Sequence, residues 1–197
     1  GTLEKRFSGT STLSGANTGF SGPVTLTDGT LAISSADNLG TGTLTFTGGT
    51  LGMTGNTTIA NSVSVASPEV ATVSVSDGVV ATMSNTVSGS GGVNKMGAGT
   101  LVLTGTNAYS GETYVSGGTL SVAADGNLGS GTVWIYDATL QLTADTTIDN
   151  QVWVSATSPT VSVDAGVSAT FSNTVTGFSG LTKTGAGTLT LSATNSY

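Results

Sequence analysis

The feature that most constrains this chain is its self-similarity. Val93 to Leu103 reads VNKMGAGTLVL and Leu181 to Leu191 reads LTKTGAGTLTL, an offset of 88. Leu3 to Leu13, LEKRFSGTSTL, is a degenerate copy offset by 90. Between these marks Asn38-Leu-Gly40 aligns with Asn127-Leu-Gly129, Thr57-Thr-Ile59 with Thr146-Thr-Ile148, and Ser84-Asn-Thr-Val87 with Ser172-Asn-Thr-Val175. The repeats divide the chain into one unit over 3–92, a second over 93–180 and a partial third over 181–197.

A shorter period runs inside each unit. Asn17, Asn38, Asn61, Asn85, Asn107, Asn127, Asn150, Asn173 and Asn195 are nine of the eleven asparagines and stand 20 to 24 residues apart. A period near 22 with several short strands is the mark of a solenoid. One winding of a parallel β-helix takes three short strands and three turns, which this length supplies. The reading is all-β: a right-handed parallel β-helix of about nine coils, four to each unit. The right hand follows from the bias of parallel crossovers.

The residue types agree. Thr, Ser and Gly number 38, 26 and 30 of 197, and 20 Val alternate with Thr or Ser. Alternation of β-branched residues is a strand pattern, which separates this chain from a disordered Ser/Gly tract. Leu101 and Leu103, Leu120 and Val122, and Val161 and Val163 are expected to point inward, with Val102, Ser121 and Ser162 outward. The asparagines are expected at coil corners, in the left-handed conformation and with stacked amides bonded along the axis as a ladder.

Composition excludes several function classes. With no His and no Cys, serine and cysteine triads and His/Cys zinc sites cannot be built from this chain. Four basic residues against eleven acids oppose nucleic-acid binding. No apolar run approaches the ~20 residues of a membrane helix, so no membrane insertion is expected of this segment. Without an initiating Met or a leader, the chain reads as a mature or excised piece.

The stretch GAGTLVLTGTNAYSGETYVSGGTLSVA (97 to 123) and LTKTGAGTLTLSATNSY (181 to 197) resemble the autotransporter-associated β-strand repeat, also called the passenger-associated transport repeat. The copy beginning at Val93 matches its pattern at Lys95, Gly97, Gly99, Thr100, Leu101, Leu103, Gly105, Asn107, Tyr109, Gly111, Thr113, Val115, Gly118, Thr119 and Leu120. The last copy departs at Ala193 and Thr194. The first departs at Phe7 and Ser8, and carries an extra residue in Thr18-Gly19-Phe20. The resemblance implies a segment of a large bacterial passenger, extracellular or at the cell surface. Its expected function is that of a structural stalk that spans distance, displays other domains and assists export. Expected partners are adjoining repeats or identical subunits, which could build a fibre.

Trp134, Tyr136 and Trp153 break the small-residue pattern. Each Trp lies between inward aliphatics, so the rings are expected to face out, where they could hold a glycan or a host protein. That gives the alternative reading, an adhesin-type binding module. Lys5, Lys95 and Lys183 recur in register and read as clamps on turn carbonyls or as solubility devices rather than as binding residues. Asp125, Asp137, Asp145, Asp149 and Asp164 crowd the second unit, where the first has Ala36, Gly48, Asn56, Ala60 and Ser76 or its neighbour. They read as solvated acids, with no metal or cofactor expected and no constellation for an enzyme. Threonine pairs that change column oppose an ice-binding array, and Gly97-Ala-Gly99 lacks the helix and Lys of a phosphate loop.

Overall fold

A computed structural model describes residues 1–197. The chain winds as a parallel β-solenoid of about nine turns with three faces. Face two is an unbroken sheet of nine strands: Thr10–Leu13, Thr30–Ile33, Thr50–Met53, Val70–Val75, Gly92–Met96, Thr113–Val115, Val133–Ile135, Val152–Val154 and Val175–Gly177. Every neighbouring pair on it is parallel and in register. Face one runs from Leu3–Lys5 through Ala108–Tyr109 as a six-stranded sheet. A 3-10 turn at Asp125–Asn127 then occupies that side, followed by the strands Thr146–Ile148, Ser168–Phe171 and Thr188–Leu191. Face three is seven-stranded, from Thr57–Ile59 to Thr182–Thr184, and a 3-10 turn at Ala36–Asn38 precedes it.

Following one outward column fixes the coil length. Thr10, Thr30, Thr50, Thr72, Asn94, Tyr114, Trp134, Trp153 and Thr176 are successive partners. Eight steps cover the 166 residues between the first and the last, just under 21 per coil. The coil is thus shorter than the asparagine spacing. This corrects the expectation of four coils to a unit, because 88 to 90 residues fill more than four turns of this length.

Short strands of three or four residues put their first and third, or second and fourth, side chains inside. Leu101, Leu103, Leu120, Val122, Val161 and Val163 are all buried. They belong to one core of 39 residues that runs the length of the rod. Burial of such side chains, about 1.5–3 kcal/mol each, is the main force that closes each coil on the next. Val102 and Ser162 are half-buried on the outside, and Ser121 is covered because the longer Val102 and Gln141 flank it. At Gly97, φ is +77° and an added Cβ would lie 2.3 Å from the Val75 carbonyl oxygen of the coil below. Glycine in the GAG motif therefore answers both a left-handed turn and close backbone stacking.

Candidate functional site

The aromatic residues assemble on face two. Trp134 and Trp153 are in-register neighbours, with ring centroids 5.0 Å apart and planes tilted by 33°. Tyr114 lies on the other side of Trp134 at 6.4 Å and 24°. Phe178, in the turn after Val175–Gly177, meets Trp153 edge-on at 5.5 Å and 75°. Four rings on four coils thus form one column, facing out as the flanking buried Val133, Ile135, Val152 and Val154 require. Tyr114 and Phe178 were not foreseen; the first was signalled by its place between Thr113 and Val115, twenty residues before Trp134. Tyr136 stands outside the stack, half-buried in the bend after Val133–Ile135.

The geometry limits what this column offers. Both faces of Trp134 are taken up by its neighbours, so it is not the open platform on which a sugar ring stacks. What reaches solvent is ring edges and Phe178, which is 89% exposed. Tyr114 donates its hydroxyl to Glu112, and that bond is the main cause that raises the phenol to about 12.

The lysines are anchors. Lys95 is 0% exposed, and its Nζ donates to the carbonyl oxygens of Met96 at 2.9 Å, Gly97 at 2.8 Å and Gly117 at 2.9 Å. Lys183 donates to Gly185 at 2.6 Å and to Gly187, and Lys5 donates to Phe7 and, at 3.2 Å, to Asp28.

The asparagines do not form the expected amide-to-amide ladder. Each side chain bonds to backbone, mostly across coils. Asn61 donates to Gly40 and Gly42 at 3.0 and 2.8 Å, and Asn150 repeats this on Gly129 and Gly131, both at 2.7 Å. Asn38 and Asn127 accept from two successive amides, Ser34 and Ser35 or Ala123 and Ala124, and so hold the 3-10 turns. Asn85 and Asn173 donate to Ala60 and Asp149. Asn107 and Asn195 accept from the Val87 and Val175 amides one coil below. Asn17 donates to the Asn38 carbonyl at 2.8 Å. None adopts positive φ, which is confined to glycines and Ala156. Nor do they share one column. Asn61, Asn85 and Asn107 sit between faces three and one, and Asn150, Asn173 and Asn195 follow strands of face one.

The acids work in the same way. Asp137 accepts from the Thr157 hydroxyl and from the amides of Thr157 and Ser158 at 2.8–2.9 Å, and these bonds, led by that from the hydroxyl, hold its carboxyl below the usual range. Asp145 accepts from the Ser168 amide, Asp125 from the Asp149 amide and Asp164 from Gln141. No three of them come together in a set that could hold a metal. A shallow recess lies beside each 3-10 turn. The first is lined by Thr18, Ala36, Thr58, Ala60 and Asn61, and its counterpart by Asn107, Tyr109, Asp125, Ser130 and Asp149.

The family described as passenger-associated-transport-repeat matches residues 3–33, 93–122 and 181–197. The adhesin BmaC autotransporter of Brucella suis biovar 1 (strain 1330) is 35% identical over 139 residues, 66% of this chain. An extracellular serine protease of Serratia marcescens is 51% identical over 47 residues, 24% of this chain. The chain spans 4% of the length of each relative. No solved structure matches significantly. The chain carries passenger-associated transport repeats at these three places and is similar, over 66% of its length, to a part of an autotransporter adhesin.

Proposed function

We propose that this segment is a non-catalytic, rigid spacer within a secreted or cell-surface passenger, and that its winding outside the cell assists export. The observation that carries the reading is the unbroken nine-strand ladder of face two over a single core, from Thr10–Leu13 to Val175–Gly177. At ~4.8 Å per coil it spans roughly 40 Å. Each coil closes on the one beside it, so every turn completed outside adds burial that opposes backward passage. Polar Thr and Ser on the outside leave the rod soluble, and adjoining repeats or identical subunits are its natural neighbours. The likeness to an extracellular protease brings no triad, since the chain has no histidine.

The test is surface display of a passenger that contains this segment. Phe46→Asp, at a fully buried core position, should lower display several-fold, whereas Thr45→Asp on the outer side of the same strand should not. Equal display of both variants would overturn the export role.

A second reading has its own support. One relative is named an adhesin, and Phe178 is exposed at the end of the aromatic column. In that reading the edges of Trp134 and Trp153, with Phe178 and Tyr136, contact a glycan or a host protein. Binding of the segment to glycan arrays or host cells, lost on Phe178→Ala with the fold intact, would favour it.

A further inference from the structure

The three copies of the lysine motif lie on three different faces. Lys5 is in Leu3–Lys5 on face one, Lys95 in Gly92–Met96 on face two, and Lys183 in Thr182–Thr184 on face three. The following strand of each copy takes the same step: Thr10–Leu13 on face two, Thr100–Leu103 on face three and Thr188–Leu191 on face one. The 3-10 turns agree, with Ala36–Asn38 on face three and Asp125–Asn127 on face one. So do the asparagine corners, which change place between Asn107 and Asn150.

We propose that the repeating unit is four coils and one face long, so that successive units are related by a screw. From Val24–Leu26 to its equivalent Thr113–Val115 the chain passes thirteen faces, counting each 3-10 turn as one. Each unit therefore advances about 21 Å, from four and a third coils at ~4.8 Å, and turns by one face. The three sides are interchangeable because each needs only a short strand with alternate apolar residues and a turn. This proposal is independent of the export role.

The screw decides how such a rod meets its surroundings. Any feature carried once per unit, such as the recess beside the 3-10 turn, returns to the same side only at every third unit. A run of units presents that feature on all sides in turn, and a partner lying along one side engages one unit in three.

The chain has no cysteine, so nitroxide labels can be placed without background. Thr72 and Asn94 are in-register neighbours on face two, whereas the Ser64 column of face one continues to Ser88. In a four-coil unit Asn94 would instead stack on Ser64, the third successor of its equivalent Glu4. Thr72→Cys/Asn94→Cys should show a short interspin distance with strong dipolar broadening, and Ser64→Cys/Asn94→Cys a clearly longer one. Thr160→Cys/Thr182→Cys, paired on face three, reports the second step and should resemble the first pair. A shorter distance for Ser64/Asn94 than for Thr72/Asn94, or equal distances, would overturn the screw.

Discussion

Lys95 shows how a charged residue can sit inside an apolar rod. Its stem runs with the core aliphatics Val73 and Val115, and its ammonium finds three carbonyls for three N–H donors. Gly117 belongs to the next coil, so the amine ties two windings. Burial nonetheless lowers the Lys95 amine from 10.5 to about 8. The unfolded chain then holds a proton that the folded chain has lost between pH 8 and 10.5, and stability rises with pH across that window and is flat below it. The rise is on the order of 2 kcal/mol by pH 10. Above pH 10 the buried Tyr109 phenol, raised by desolvation, opposes it, since the unfolded chain ionises first. Urea midpoints from pH 7 to 10 should climb above pH 8 in the parent and stay level in Lys95→Met. A level parent curve would show that the three carbonyls keep the amine charged.

The column Tyr114–Trp134–Trp153–Phe178 joins four coils through side chains as well as backbone. Each aromatic pair contributes about 0.5–1.5 kcal/mol beyond its burial. Trp134→Ala removes one stacked and one tilted ring contact, and Phe178→Ala one edge contact. Thermal melts should place Trp134→Ala lower than Phe178→Ala, by about 1–2 kcal/mol more destabilisation; the reverse order would mean that the stack carries no stability. The two tryptophans were legible because Val133/Ile135 and Val152/Val154 bracket them. Phe178 was not, since it lies in a turn where alternation gives no direction. The asparagine grid was legible as a period, but its spacing overstated the coil. Asn107 and Asn150 stand at different corners, a shift that residue types alone do not show. Sequence likewise placed Leu101 and Leu103 inside, but left the lysines between clamping carbonyls and keeping the surface soluble, without revealing how deeply Lys95 is buried.

Because each coil rests only on its neighbours, the rod is held together locally and its core is shared end to end. Leu101→Asp buries a carboxylate midway along this core, at a cost of several kcal/mol. Hydrogen exchange should then quicken in Val80–Met83 and Thr119–Val122, which flank it on face three. The distant pair Thr30–Ile33 and Thr50–Met53 should keep its protection. Uniform loss along the whole chain would show instead that the nine windings unfold as one. The equivalence of the three sides has a consequence for inheritance. Two copies of the motif that misalign during recombination can excise or duplicate everything between them, and the junction still reads as a sound winding. What changes is the bearing of whatever lies beyond: it comes to rest a third of a revolution away from where its ancestor pointed.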